Sequence, residues 1–482
     1  MDKFYKEYER YTHTRKSFWS QQAPKAPSAL GSFYRKSVVA IYQNFIPTNS
    51  TVLELGCGSG SLLASLSPSY GVGIDFCPEN IALAKVQHPN LSFVLSDAHE
   101  LDLPPQQFDF IVISELINDL WDVQKMLLAL RPFCNQDTRI LFNFYSHLWS
   151  GPIQIARKLG LAWPNLQQNW LTREDMSNLM EISGLQTIRM SEEILIPIYI
   201  PVITRFANKY LVKLPIFRHL AFTNFMVARP LFHPENTQRS VSVIIAARNE
   251  AGHIEELIAR IPQMGSSTEI IFIEGGSTDD TYVTIERAIA NHPNLNIRLM
   301  QQTGTGKGDA VRMGFDAARG EILMILDADI TVPPEDLPRF YDLITNDTAE
   351  FVNGVRLIYP MDDGAMRFAN LIGNKFFSWA FSWLLGQPIR DTLCGTKVLW
   401  NTGYKKIAAN RSFFGNFDPF GDFDLLFGAA QLNLKILEVP IRYRARRYGE
   451  TNISRWKHGV LLLKMVIFCS EQDQIYLTSK YA

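Results

Sequence analysis

Cysteine is scarce: five in 482 residues, with no Cys-x-x-Cys pair. That is too few and too scattered for a disulfide framework, so free thiols in a reducing compartment are expected. A charge excess of either sign is also missing, with 47 Lys and Arg against 48 Asp and Glu and a net charge of −1. A globally basic nucleic-acid binder is thereby excluded, and no nucleic-acid partner is expected. No apolar run reaches the roughly 20 residues of a membrane span. Ile194–Ile203 is broken by Pro197 and Pro201 and followed by Arg205, and Gly459–Cys469 is short and contains Lys464. Met1 to Trp19 is charged and aromatic with no apolar core, so no secretory leader is read and a cytoplasmic location is expected. There is no internal repeat and no low-complexity tract. What is present is ordinary for a globular enzyme, 46% hydrophobic and 20% charged residues, enough for about three domains or two large ones.

Two blocks open in the same way, with a short apolar strand, a polar or glycine turn and a helical pattern. The first begins at Thr51–Leu55 and the second at Val241–Ala246. Between them, Arg229–Arg239 holds two prolines and a polar cluster and reads as a linker. Strand–helix alternation in both blocks predicts two α/β domains with mainly parallel sheets. Residues 1–45 are expected to form helices covering the first sheet.

In the first block, Glu54 lies near the end of the strand. Gly56, Gly58 and Gly60 follow at alternate positions, and then the helical segment Ser61–Leu66. The glycines permit a tight turn and close approach to a ligand, and the helix start offers free N–H groups. A second strand, Gly71–Asp75, ends in an acid placed where a ribose diol can be gripped. The spacing is G-x-G-x-G, which departs from the G-x-G-x-x-G of dinucleotide sites. Glu54-Leu55-Gly56-Cys57-Gly58-Ser59-Gly60 resembles motif I of the class I S-adenosylmethionine-dependent methyltransferases, over about residues 45–230. The resemblance implies S-adenosylmethionine as cofactor. Glu54 and the glycine loop would lie beside its amino-acid part, Asp75 on the ribose, Asp97 on the adenine amino group, and Ser114 at the end of the fourth strand. Two departures stand out. The glycine pair common before the fifth strand is replaced by Arg131-Pro132-Phe133-Cys134-Asn135. No Asn-Pro-Pro-Tyr follows the fourth strand, which weakens a nucleic-acid or protein-amide acceptor. If methyl transfer uses a base, Tyr145 or His147 is in place for it; packing or gating is the alternative for both.

In the second block, Val241–Glu250 reads as a buried strand ending in a polar turn, before a helix over about Ile254–Ile261. A strand at Glu269–Ile273 leads to Glu274-Gly275-Gly276-Ser277-Thr278, whose Ser277 and Thr278 are expected to cap the next helix. A strand near Ile297–Met300 leads to Gly304-Thr305-Gly306-Lys307-Gly308. This is no P-loop, because Gln301 and Gly308 occupy positions that need Gly and Ser or Thr. The loop can still approach a diphosphate with Lys307. Ile322–Leu326 then ends in Asp327-Ala328-Asp329, two hard carboxylates suited to Mg²⁺ or Mn²⁺ on phosphate oxygens. Together these residues resemble a family-2 glycosyltransferase of the GT-A fold, over about residues 240–470. The resemblance implies a nucleotide-sugar donor contacted by Ala246, Arg248, Glu250 and Glu274, and a metal held by Asp327 and Asp329. Gly306-Lys307-Gly308, Asp391-x-x-Cys394-Gly395 and the late arginines look closest to polyprenyl-phosphate hexosyltransferases.

Asp422 and Asp424, in Phe420–Leu425, lie where that family carries its Glu-Asp motif, with Asp422 the better match to the general base of inverting members. A hydroxyl acceptor needs such a base; a phosphate acceptor is already anionic, and Asp422 would then orient. Arg442, Arg444 and Arg446 alternate on an expected strand and share a face, with Arg447, Arg455 and Lys457 around Gly449. Phosphate recognition by Arg444, Arg446 and Arg447 is the functional reading, a charged edge strand the bland one. The aromatic helix Phe368–Leu385 is read as core, with a lipid-acceptor groove as the runner-up. Ile194–Leu231, which spaces basic residues through apolar ones, is compatible with an anionic membrane surface at the inner face of the plasma membrane.

The expected architecture is α/β with two domains. A Rossmann-like methyltransferase sheet occupies 1–230, a linker 231–239, and a GT-A nucleotide-sugar-binding domain 240–482. The expected function is methyl transfer by the first domain and metal-dependent, inverting glycosyl transfer to a glycan, lipid or polyprenyl-phosphate acceptor by the second. The alternative is a glycosyltransferase whose first domain only binds S-adenosylmethionine as a regulatory or scaffold module.

Overall fold

The computed structural model describes residues 2–22, 29–158, 166–232, 238–356, 358, 368–411 and 422–444. The chain divides into two compact units between Phe232 and His233.

In the first unit, helices α1 (Asp2–Gln22) and α2 (Ala29–Phe45) come before the sheet. Then follow β1 (Thr51–Leu55), α3 (Ser61–Ser65), β2 (Tyr70–Asp75), α4 (Pro78–Gln87), β3 (Ser92–Leu95), β4 (Phe110–Ser114), α5 (Val123–Ala129) and β5 (Arg139–Tyr145). The unit closes with α6 (Ser150–Lys158), α7 (Arg173–Ile182), β6 (Leu185–Glu193), α8 (Ile203–Lys209), α9 (Pro215–Arg218) and β7 (Thr223–Pro230). The seven strands lie in the order β3-β2-β1-β4-β5-β7-β6, and β7 alone runs against the rest. Alternate residues of β1 and β4 feed two cores. Leu53, Leu55, Ile111 and Ile113 pack on one face, and Val52 and Val112 pack on the other with Tyr34, Val38 and Ile41 of α2. A sheet covered on both faces needs apolar residues at every position, which is why these strands read as unbroken apolar runs. Leu231 and Phe232, expected in the linker, pack onto this unit: Leu231 N donates to Gly184 O at 2.9 Å, and Arg131 lies over the Phe232 ring.

The second unit runs β8 (Val241–Ala247), α10 (Ile254–Arg260), β9 (Thr268–Glu274), α11 (Thr281–Asn291), β10 (Asn296–Gln301), α12 (Lys307–Ala317) and β11 (Ile322–Ile325). It continues with α13 (Leu337–Thr345), β12 (Phe351–Val355), α14 (Phe368–Leu385), β13 (Lys397–Trp400), α15 (Asn401–Ala409), α16 (Asp422–Gln431) and β14 (Ile436–Pro440). Its sheet order is β10-β9-β8-β11-β13-β12-β14, again with one reversed strand, β13. Each sheet therefore reverses direction of growth beside its first strand, between β1 and β4 and between β8 and β11. In open α/β sheets the crevice at the carboxyl ends of such a strand pair is where ligands bind.

Three local expectations are corrected. The described part of the arginine-bearing segment is not a strand: β14 ends at Pro440, after which Ile441 N donates to Val355 O at 3.0 Å and Arg444 N to Thr331 O at 3.0 Å. Arg446, Arg447, Gly449, Arg455 and Lys457 lie outside the described residues. Ser277 and Thr278 do not cap α11, which opens at Thr281; Asp279 Oδ1 accepts from Thr281 N at 3.0 Å in their place. Helix α14 is not wholly core. Phe377, Phe381, Leu384 and Leu385 are buried, but Phe376, Trp379 and Trp383 form an exposed stripe at helical spacing.

Candidate functional sites

In the first unit the site is built on the turn after β1. Gly56, Gly58 and Gly60 all have positive φ, at 70°, 52° and 76°. A Cβ on Gly60 would sit 2.5 Å from the Phe93 ring, whereas one on Gly58 would meet nothing within 4 Å. The middle of the turn thus faces open space beside the carboxyl ends of β1 and β4, a cradle of the kind a cofactor needs. Glu54 lies beneath it, 3% exposed, its Oε2 accepting from Leu63 N at 3.1 Å. Burial pushes its carboxyl up to about 8, with the Asp75 charge adding to the rise. Asp75, also buried and also raised by burial, ties the turn to the next strand: Oδ2 accepts from Gly58 N at 2.9 Å and Oδ1 from Cys77 N at 2.8 Å. Asn80 Nδ2 also donates to Oδ1, at 3.4 Å, so Asp75 is held by the turn and by the start of α4 together.

Asp97 is more crowded. His99 donates from Nδ1 to its Oδ1 at 2.6 Å, and Tyr8 of α1 donates to its Oδ2 at 3.1 Å. Asp122 N donates to His99 Nε2 at 3.2 Å, which leaves Nδ1 as the protonated nitrogen. Burial alone would raise the Asp97 carboxyl, but the hydrogen bonds from His99 and Tyr8 outweigh it and hold the group at about 2. Ser114, at the end of β4, donates to Asn143 Oδ1 on β5 at 2.9 Å.

Two residues join this site that the sequence reading did not weigh as a pair. Glu115 takes φ of 59°, a costly conformation for glutamate, directly after β4. Tyr145, at the end of β5, donates to Glu115 Oε2 at 3.0 Å. Around them stand the rings of Tyr34, Trp170 and Phe222. His147 instead bonds the carbonyl of Trp170 through Nδ1 at 2.9 Å.

In the second unit, Lys307 opens α12 and donates to Asp327 Oδ1 at 2.6 Å. Burial would raise the Asp327 carboxyl, but the nearby cations Lys307, Arg356 and Lys397 hold it low. Asp329 turns to Thr331, accepting from its N at 3.2 Å and Oγ1 at 2.7 Å. The next residue, Ile330, has φ of 54°, a strained value for a β-branched side chain. Gly395 completes this cluster. A Cβ there would lie 2.2 Å from Asp327 Oδ2 and 2.5 Å from Lys307 Nζ. Its loop is anchored by Asp391, which is fully buried and doubly bonded by Arg356: Nε to Oδ2 at 2.7 Å and Nη2 to Oδ1 at 2.8 Å. Cys394 is buried in the same loop, its thiol pushed up to about 12 by burial and the Asp391 charge.

The remaining named residues scatter around this centre. Ala246 is half-buried at the end of β8, and Arg248 is exposed just after it. Glu250 is buried, its Oε2 2.9 Å from His253 Nδ1. Glu274 is buried at the end of β9 and accepts from Ser277 N at 2.6 Å. Asp424 is buried between two guanidiniums, 3.6 Å from Arg312 and 3.4 Å from Arg411. Asp422 opens α16, and its side chain lies outside the described residues. Among the described residues no group of three His, Cys, Asp or Glu could enclose a metal ion. Asp327 and Asp329 are two hard carboxylates, engaged within the chain by Lys307 and by Thr331 respectively.

Residues 52–135 match the model of the family described as methyltransferase domain, and residues 242–414 match that of glycosyl transferase family 2. The chain thus joins a methyltransferase domain to a family 2 glycosyltransferase domain. Among curated proteins, it is 28% identical over 255 residues to a dolichyl-phosphate hexose transferase of Haloferax volcanii, covering 50% of this chain and 99% of that one. It is also 28% identical over 228 residues to glycosyltransferase AglJ of the same organism, covering 47% and 70%. Among solved structures, a glucosyl-3-phosphoglycerate synthase of Mycobacterium tuberculosis, in complex with Mn²⁺, UDP-glucose and phosphoglyceric acid, matches at 21% identity with a TM-score of 0.36. That match covers 49% of this chain and 80% of that one.

Proposed function

We propose that the chain is a bifunctional transferase. Its second domain moves a sugar from a nucleotide donor to a polyprenyl phosphate with inversion, and its first domain methylates an acceptor with S-adenosylmethionine. The observation that carries the glycosyl half is the convergence of Lys307, Asp327 and Gly395 at the carboxyl end of β11. The start of α12 is a helix N-terminus, which favours an anion, and Lys307 adds a charge for the donor diphosphate. Asp327 and Asp329 would hold Mg²⁺ or Mn²⁺, which when bound supplies Lewis-acid neutralisation of the departing diphosphate. Lys307 must then share or yield Asp327. Arg444 is exposed near Thr331 and can meet a phosphate with a planar fork; Arg446 and Arg447 are proposed to extend that role. A polyprenyl phosphate arrives already anionic, so its oxygen needs no base. In this reading Asp422 and Asp424 orient the acceptor side, with Asp424 fixed by Arg312 and Arg411. The relatives with polyprenyl-phosphate names support this acceptor, and its lipid nature supports work at the cytoplasmic membrane face.

For the methyl half, S-adenosylmethionine when bound supplies the sulfonium methyl. Gly58 and Asp75 would hold it, with Glu54 beneath. Glu115 and Tyr145 stand at the end of β4 and β5, where a carboxylate and phenol can orient an acceptor X–H and take its proton. The test has two arms. Thermal shifts with S-adenosylmethionine, and with nucleotide sugars plus Mn²⁺, read each site separately. A methyl-transfer assay against the glycosylated and unglycosylated lipid then decides between two active domains and a cofactor-binding scaffold. No shift with S-adenosylmethionine would remove the first half; donor binding that survives Asp327→Ala would remove Asp327 from the metal.

A further inference from the structure

The segment between β6 and β7 is folded inside out. On α8 the inward positions are Thr204 and Ala207, both buried, while Ile203, Phe206 and Tyr210 are 55, 53 and 49% exposed. Those three sit at i, i+3 and i+7, one stripe of the helix. A helix of a globular protein turns that stripe to the core; this one turns it to solvent.

The polar groups of α8 explain how the arrangement is held. Thr204 Oγ1 donates to Ile198 O at 2.7 Å and accepts from Ile200 N at 2.8 Å. Asn208 clamps Ile196 from both sides, accepting from its N at 2.8 Å and donating to its O at 2.9 Å. The inner face therefore spends its hydrogen bonds on the preceding loop, and Tyr199 is left 52% exposed. Val202 stands at φ 64°, a conformation β-branched residues avoid, and is 78% exposed. Beyond α8, Val212 is an anchor with no exposure, while Ile216 of α9 is 79% exposed. Large apolar side chains are thus presented outward by a structured, hydrogen-bonded scaffold, a patch of the kind that marks an interaction surface.

Charge selects the occupant. From Ile194 to Pro234 there is no Asp or Glu, while Arg205, Lys209, Lys213 and Arg218 are spaced through the apolar positions. Lys213 pairs with Glu193 at 3.0 Å and Arg218 lies 3.9 Å from Glu192, the two acids just before the segment. Two copies meeting face to face would bring basic residues against basic residues, which argues against self-association. An apolar stripe flanked by cations and tyrosines matches the interface of an anionic bilayer, with rings at headgroup level and aliphatic tips below it.

We infer that the α8–α9 segment of the methyltransferase domain docks the chain onto anionic lipid bilayers, with Val202, Ile203, Phe206 and Ile216 as the inserting side chains. This rests on the lipid-acceptor reading of the second domain only for its purpose. The surface itself is defined without it.

The test is flotation of the full chain with vesicles of phosphatidylcholine alone and of phosphatidylcholine with phosphatidylglycerol. The wild type is expected to float with the anionic vesicles, at least about tenfold better than with neutral ones, and to lose this preference in high salt. Val202→Glu with Ile216→Glu, both at exposed positions, is expected to cut flotation about tenfold while circular dichroism and the thermal shift with S-adenosylmethionine stay as in the wild type. Glycosyl transfer to a short, detergent-soluble polyprenyl phosphate should persist in that variant, so loss of docking and failure of the lipid-acceptor reading are told apart. The inference is overturned if the wild type ignores anionic vesicles, or if the double variant floats unchanged. It is also overturned if Trp379→Glu on α14 abolishes flotation instead, or if light scattering finds a dimer that the double variant dissociates without any vesicle binding.

Discussion

Replacing Glu54 with glutamine should make the first unit more stable at neutral pH. The carboxyl is 3% exposed and raised from 4.5 to about 8, chiefly by burial. Below about pH 4.5 it is neutral in both folded and unfolded chains and has no effect. As pH rises further the unfolded chain gives up the proton while the folded one keeps it until about pH 8. The folded state then binds more protons than the unfolded, and stability falls with rising pH across that window. At 1.36 kcal/mol per unit the full shift is on the order of 5 kcal/mol, an upper bound because the site can relax and the denatured chain is compact. A difference of about 2–4 kcal/mol between Glu54→Gln and wild type at pH 8 is the expectation. Glutamine still offers an oxygen to Leu63 N, so the hydrogen bond at 3.1 Å survives the change. Native-state hydrogen exchange of β1 and β2 peptides, corrected for intrinsic exchange rates, reads this unit without the other. The wild type should lose protection from pH 5 to 8 and the variant should not. Parallel curves would mean that Glu54 ionises in place at no cost, and the burial argument would fail.

Gly395→Ala should weaken donor binding by about 10–100-fold, since overpacking costs about 1–3 kcal/mol and the new Cβ meets Asp327 and Lys307; unchanged affinity in calorimetry would show that the pair moves freely. Glu115→Gln should slow methyl transfer about a hundredfold while S-adenosylmethionine affinity stays within about twofold; an equal loss of affinity would make Glu115 structural. Tyr8→Phe frees an acceptor direction on Asp97 and should tighten S-adenosylmethionine binding by about 2–10-fold, the worth of one hydrogen bond; weaker binding would mean that Tyr8 helps hold the cofactor. Asp391→Asn strands the buried Arg356 guanidinium and should destabilise the second unit by about 3–5 kcal/mol in denaturant melts; a shift under about 1 kcal/mol would refute the ion-pair account.

The strand ends were legible because chemistry-bearing residues gather there in the chain itself. Gly56–Gly60, Asp75, Lys307 and Asp327 each follow an apolar run, and the sheets bring those runs side by side. The hydrogen-bond partners were less legible. Nothing in Ser114-Glu115-Leu116 announces a left-handed glutamate, and nothing in sequence joins Glu115 to Tyr145 thirty residues on. Arg356 and Asp391 lie in separate segments and meet only once β12 and β13 pair. Ser277 and Thr278 fit a cap by residue type, yet Asn249 of the neighbouring turn engages both, its N donating to Ser277 Oγ and its Oδ1 accepting from Thr278 N, and the helix starts later. Arg442 and Arg444 keep their alternation of exposure beyond the end of β14: Ile441 between strand and arginines is buried, and the two arginines are exposed. Alternation marks which side meets solvent; it does not by itself make a strand.

The loop that carries Gly395 also carries a thiol, and this gives the second unit a built-in clock. Cys394 is buried and its proton is held well beyond neutral pH, so maleimides or disulfide reagents reach it only when the Asp391–Gly395 loop opens. Cys57, Cys77 and Cys134 are buried in the first unit in the same way. The rate at which each thiol is labelled is therefore a record of how often its own neighbourhood unlocks. Whatever ligand closes the space around Asp327 should slow the labelling of Cys394 and leave Cys57, Cys77 and Cys134 on their own time.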